Sequence, residues 1–263
     1  MTSATDNSDT ALPAIEFEDV VAGYGDFMIL NNLSFKARRG AITLLLGPNG
    51  AGKSTVLKTL FGLLKVRSGR ILIDGDRVAG ASARQLLARG LAFVPQGRNL
   101  FGQLTVMQNL ELGGITLGSK LTRERIPEVL DRFPRVKERL HSLASSLSGG
   151  EQKQLEIGRA LLLRPKIMLI DEPSIGLSPL VVADVFKLLR VLASQGTTVL
   201  MVEQNVKSAL TISDEAIALE SGRRVLQQRA ADLLSDPHIE RLFLGSAASS
   251  SNSAPAPATG SAH

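Results

Sequence analysis

Gly47-Pro-Asn-Gly-Ala-Gly52-Lys53-Ser54-Thr55 fits the pattern G-x-x-x-x-G-K-[ST], and it follows the run Ile42 to Leu46, apolar but for Thr43. A buried strand must therefore feed a glycine-rich loop that opens a helix. Few architectures accept that order, and the one it favours is a parallel sheet covered on both faces. Along Gly47, Pro48, Asn49, Gly50, Ala51 and Gly52 the flexible backbone can curl its N–H groups around an anion, and the new helix adds the positive end of its dipole. Lys53 supplies a full charge, Ser54 a hydroxyl suited to Mg²⁺, and Thr55 continues the cradle into the helix. By itself the pattern implies only that the chain binds a nucleoside triphosphate.

Two more apolar runs, Ile167 to Ile170 and Thr198 to Val202, end in polar loops followed by helical periodicity, as further strands of such a sheet do. The first ends in Asp171-Glu172. Successive side chains of a strand diverge, so Asp171 can face a Mg²⁺ shell while Glu172 points toward an attacking water. Acidic pairs also end strands without any chemistry; the preceding phosphate loop is what favours the functional reading.

Ile15 to Val20 alternates apolar and polar residues and Leu30 to Ala37 does so more loosely, which predicts antiparallel strands around a turn at Gly23-Tyr-Gly25. Leu104 to Leu140 predicts helices interrupted by Gly113-Gly114, Pro127 and Pro134. Near the end, Ala216 to Leu226 reads as a hairpin and Ala231 to Leu234 as a short helix. The expected class is α/β: a nucleotide-binding core with a parallel sheet, an N-terminal antiparallel β subdomain and an inserted helical subdomain at about 97–158. The Ser-, Ala- and Pro-rich segments 1–14 and 245–263 offer little apolar surface to offset ordering entropy and are expected to be disordered tails around a domain at 15–244.

The absence of cysteine removes disulfides, thiolate metal sites and cysteine nucleophiles. No apolar run approaches the roughly 18 to 20 residues that span a bilayer, and the first 14 residues have neither basic charge nor an apolar stretch, so a secretory signal is not expected. Cytoplasmic residence follows as the expectation. Nucleic acid is not expected as a partner, because Lys120 to Leu140 mixes seven basic with four acidic residues like a solvated helical face.

Leu147-Ser148-Gly149-Gly150-Glu151-Gln152 narrows the reading. Ser148 offers a hydroxyl, and Gly149 and Gly150 offer N–H groups, at the start of a helix, which makes a second anion site. The hexapeptide resembles the signature of ATP-binding cassette (ABC) ATPases, lies 24 residues before Asp171 as that family arranges it, and extends a resemblance running from about Ile15 to Gly245. The resemblance implies ATP and Mg²⁺ as cofactors, with Ser54, Asp171 and Gln96 toward the metal, Glu172 as general base, and Ser148 to Glu151 closing over nucleotide on a second cassette. It also implies that Tyr24 stacks on adenine, and that Gln96 touches metal and water while joining the core to the helical subdomain.

Two positions depart from the family pattern. Gln204 stands where the family carries a histidine, and an amide can donate to phosphate or orient water but cannot become a cation near neutral pH. Ser178 replaces an aspartate of the loop after the acidic pair, which puts charge-mediated communication between cassettes in doubt. Pro95-Gln-Gly-Arg98 with Phe101, Asp171 to Pro179 and Val202-Glu-Gln-Asn205 resemble the ATP-binding subunit of high-affinity branched-chain amino acid importers. Urea or short-chain amide importers share much of this wording and stay open as an alternative. The implied assembly has two transmembrane permeases, a second cassette that is non-identical or a copy, and a periplasmic solute-binding protein, at the cytoplasmic face of the inner membrane. Soluble cassette ATPases of DNA repair or translation are a weaker fit: repair proteins insert long coiled coils, yet Lys53 and Leu147 are only 94 positions apart, and the translation proteins carry two cassettes. A lipopolysaccharide exporter's ATPase shares the fold but typically keeps the histidine.

Overall fold

The computed structural model describes residues 12–235. In chain order its elements are β1 (Ile15–Tyr24), β2 (Phe27–Ala37), β3 (Ile42–Leu46), α1 (Lys53–Leu60), β4 (Val66–Ile73), β5 (Asp76–Arg77), α2 (Ala83–Ala88) and β6 (Leu91–Val94). There follow α3 (Val106–Gly113), α4 (Ser119–Asp131), α5 (Pro134–Glu138), α6 (Gly149–Leu161), β7 (Ile167–Asp171), α7 (Pro179–Ser194), β8 (Thr198–Val202), α8 (Val206–Ile212), β9 (Glu215–Glu220), β10 (Arg223–Arg229) and α9 (Ala230–Leu234).

One sheet has the order β10-β9-β3-β8-β7-β6, with β3 paired parallel to both β8 and β9 at its centre. The largely apolar runs are explained by this position. Leu44, Met168, Ile170 and Met201 point into a core shared with the helices, while Leu45, Leu169, Leu200 and Val202 point into a second core against the other sheet. Alternate residues thus serve opposite faces and none can be polar without cost. The second sheet, β2-β1-β4-β5, is antiparallel and has Phe17 stacked on Phe35 at 4.5 Å inside that second core.

β4 is a strand the sequence reading does not anticipate, because Arg67-Ser-Gly-Arg70 lacks a strand's alternation. It is accommodated by an irregularity in β1: pairing shifts between Glu18 and Val21, Asp19 takes a φ of 47°, and Gly69 passes so close that a Cβ there would meet the Asp19 carbonyl oxygen at 2.4 Å. Pro127 is a correction: it does not interrupt the helices but lies inside α4. Its ring is exposed, and burial of Thr122, Ile126, Val129 and Leu130 on the opposite side holds the helix through the missing N–H. Pro134 does begin a helix, α5. Ala14, assigned above to the N-terminal tail, is buried, its N–H donating to the Ala37 carbonyl and its carbonyl accepting from Asp74. Residues 1–11 and 236–263, including the C-terminal tail, lie outside the described residues.

Candidate nucleotide site

The loop leaving β3 is held from behind by the β9–β10 hairpin. Gly222 donates its N–H to the Ala51 carbonyl at 3.0 Å, and at Gly47 a Cβ would lie 2.2 Å from the Leu219 carbonyl oxygen, with φ at 147°. Only glycine fits that contact and that backbone together. Gly52, at φ 101°, turns the chain into α1, whose first residue is Lys53. Lys53 is 8% exposed, and its Nζ donates to the carbonyls of Gly47 at 2.8 Å and Pro48 at 3.0 Å. Burial lowers its pKa, and the nearby carboxylates of Glu172 and Asp171 act against that shift.

Ser54, one residue on, donates its hydroxyl to Asp171 Oδ1 at 3.1 Å across the gap between α1 and β7. Asp171 has its carboxyl raised by burial, opposed by the Ser54 bond and by Lys58, Lys53 and Lys153. Glu172 occupies the turn after β7 at a φ of 49° and is buried, with its N–H donating to the Val202 carbonyl at 2.9 Å. Burial, then the Asp171 charge, raise the Glu172 carboxyl. Two amides hold it: Gln96 Nε2 donates to Oε2 at 2.7 Å and Gln204 Nε2 to Oε1 at 3.4 Å. The structure therefore gathers Lys53, Ser54, Asp171, Glu172, Gln96 and Gln204, from four separate stretches of sequence, at the ends of β3, β6, β7 and β8. The crevice beyond the carboxyl ends of such strands is where open α/β sheets take ligands.

Tyr24 ends β1 and is 45% exposed, with its hydroxyl 3.4 Å from the donating Lys58 Nζ of α1. It stands on the α1 side of the loop with its ring accessible. Ser148 is differently placed. Among the described residues no hydrogen bond or ion pair joins Ser148, Gly149, Gly150 or Glu151 to the loop at 47–55. Ser148 caps α6, donating its hydroxyl to Glu151 Oε2 at 2.8 Å and accepting the Glu151 N–H at 3.3 Å. Burial would raise the Glu151 carboxyl, but bonds from the Ser148 N–H and hydroxyl outweigh it and hold the group low. The hydroxyl expected to meet an anion is thus occupied by the cap.

Three further buried charged residues lie beside this cluster and are not singled out from sequence. Glu203 is buried beside Gln204, and Lys153 and Glu156 form a buried ion pair in α6 at 2.6 Å. Glu156 also accepts the Asn99 N–H at 2.7 Å, tying α6 to the loop after Gln96. An acid ending the apolar run Thr198 to Val202 was the available signal for Glu203; the i,i+3 spacing of Lys153 and Glu156 reads equally well as an exposed surface pair.

Hard oxygen donors at Ser54 and Asp171 suit Mg²⁺, and among the described residues no cluster of three His, Cys, Asp or Glu side chains forms a metal cage. That donor set fits a magnesium ion carried by phosphates and held by one or two protein oxygens.

The family model described as ABC transporter matches residues 30–175. A high-affinity branched-chain amino acid transport ATP-binding protein, BraG of Pseudomonas aeruginosa, is 40% identical over 88% of this chain and 99% of its own length. The lipopolysaccharide export ATP-binding protein LptB of Haemophilus influenzae is 31% identical over 87% and 95%. Among solved structures, an ATP-binding cassette of an ABC transporter in its ADP conformation shares 27% identity and a TM-score of 0.80 over 89% of this chain and all of its own. With the loop and the acidic pair at the strand ends of one sheet and the signature at the start of α6, these likenesses show an ATPase cassette, and the chain belongs to the ABC transporter family.

Proposed function

We propose that this ABC ATPase is the motor subunit of an importer for branched-chain amino acids, and that Glu172, Gln96 and Gln204 form its hydrolytic centre. The observation that carries the catalytic part is the Glu172 carboxylate held between two amides beside Asp171, Ser54 and Lys53. The solute rests on the likeness to BraG.

ATP enters along α1, with its phosphates on the N–H groups of the loop 47–52 and phosphate oxygens replacing the Gly47 and Pro48 carbonyls as acceptors for Lys53. Thr55 lies in the first turn of α1 behind them. Tyr24 takes the adenine; aromatic stacking of a base contributes about 1–3 kcal/mol. Ser54 and Asp171, with Gln96, would hold Mg²⁺, which when bound would supply charge neutralisation at the phosphates. Glu172 removes a proton from water, the water oxygen bonds to the γ-phosphorus, and the bond to the bridging oxygen breaks to release ADP. Gln204 and Gln96 orient the carboxylate and that water. A raised carboxyl is the appropriate state for a base that must accept a proton.

Ser148, Gly149, Gly150 and Glu151 close over nucleotide bound to a second cassette, for which Ser148 exchanges its cap partner. The residues at about 97–158 form the helical arm that transmits closure to two permease subunits, which hold the chain at the cytoplasmic membrane face; no helix among the described residues is long and apolar enough to cross a membrane. A periplasmic binding protein delivers the solute.

The test is recovery of the tagged full chain from membranes with identification of its partners, together with uptake of labelled leucine and urea in cells lacking the gene. Two permeases and lost leucine uptake are expected. Intact leucine uptake with lost urea uptake moves the solute to the amide class, and recovery without any permease removes the importer reading.

A further inference from the structure

Glu203 has a carboxylate that none of the steps above uses, and it is 1% exposed. It follows β8 directly. Its Oε1 accepts the Ser174 N–H at 2.8 Å, while its Oε2 accepts the Ser174 hydroxyl at 2.7 Å and the Gln204 N–H at 3.1 Å. A buried carboxylate is kept only where donors of this kind satisfy it, and charge-assisted bonds are the stronger ones.

These bonds join two turns that the sheet leaves separate. One turn departs from β7 and carries Glu172 two residues before Ser174; the other departs from β8 and carries Gln204. On the strand side they are already linked by the Glu172 N–H bond to the Val202 carbonyl. Beyond the strands, Glu203 links them through its two bonds from Ser174, beside the longer Gln204–Glu172 contact. Glu172 also has a positive φ, a conformation that a non-glycine residue keeps only when its surroundings over-determine it. The Gln204–Glu172 contact of 3.4 Å is long, so it depends on how the two turns are held.

We infer that Glu203 is a positioning residue for hydrolysis: it fixes the turn after Glu172 to the turn bearing Gln204, so that the carboxylate and the amide address the same water. The inference rests on the proposed role of Glu172 as the base.

The experiment is steady-state hydrolysis of MgATP by the purified full-length chain, with MgATP binding measured in parallel. Glu203→Gln replaces one acceptor oxygen by a donor and is expected to lower kcat by about 10- to 100-fold with KM changed by less than about twofold. Ser174→Ala removes one bond and is expected to lower kcat by about three- to tenfold, and the double variant is expected to be no slower than Glu203→Gln alone. A general packing defect would instead weaken binding and turnover together. Unchanged kcat in Glu203→Gln, or parallel loss of binding and turnover, overturns the inference; should that variant not fold, unchanged kcat in Ser174→Ala does so. Glu172→Gln separates the two readings. If it is inactive while Glu203→Gln is fully active, only the positioning role fails; if it hydrolyses normally, both fail.

Discussion

The Gln96 amide donates to Glu172 Oε2 at 2.7 Å although the two residues are 76 positions apart in sequence. Gln96 follows β6 and Glu172 follows β7, and these strands run parallel and adjacent, with Val94 opposite Ile170. Parallel pairing of the edge strand thus delivers an amide to the carboxylate. The same loop continues to Asn99, which is bonded to Glu156 of α6, so the position of Gln96 is shared between the sheet and the helix that follows the signature.

Glu172→Gln keeps the side chain's size and removes the proposed proton acceptor. Turnover is expected to fall by about 10² to 10⁴ while MgATP binding is retained. Phosphate release measured against nucleotide binding checks this.

Gln204→Ala removes one of the two amides on Glu172. A fall in kcat of about tenfold is expected, on the scale of one hydrogen bond to a charged group, with nucleotide affinity little changed. Initial rates of ATP hydrolysis give the answer; an unchanged rate removes Gln204 from the hydrolytic centre.

The Lys153–Glu156 pair is almost fully enclosed, with side chains 6% and 4% exposed. Glu156→Ala strands a buried ammonium and leaves the Asn99 N–H without its acceptor, so a loss of about 3–5 kcal/mol is expected. Replacing both residues by methionine is expected to cost much less, since neither charge is left alone. Urea denaturation of the two variants distinguishes these outcomes.

Asp214 binds Arg190 at 2.8 Å and accepts the Ile42 N–H at 2.8 Å, anchoring the start of β3. Burial works to raise its carboxyl, but the Arg190 bond, the Ile42 bond and the Arg190 and Arg38 charges outweigh it and hold the group below the usual carboxylate range. A depressed folded-state pKa contributes stability above the unfolded value, about 3.9, and loses it as pH falls through the folded value. The difference in Tm between the parent and Asp214→Asn is therefore expected to be constant above about pH 5 and to shrink below about pH 4. Thermal unfolding across that range measures it.

Sequence alone determined the elements whose signal is local. The loop at 47–55 needs its glycines in place to bring backbone N–H groups to an anion, and the runs at Ile42, Ile167 and Thr198 must be strands buried on both sides. The hairpin and short helix at the end are likewise local, and they are found as β9, β10 and α9. Pro127 and β4 were not legible in this way. A proline is tolerated in α4 because the helix's other face is packed, and β4 is a strand because β1 bulges to receive it. Local propensity contains neither partner. The site divides along the same line: its residue types could be read from the chain, but the meeting of Gln96, Glu172 and Gln204, and the clamp that Glu203 places between two turns, were decided by strand order. Hydrogen bonds between distant segments exist only once the parallel sheet has set the ends of β6, β7 and β8 side by side.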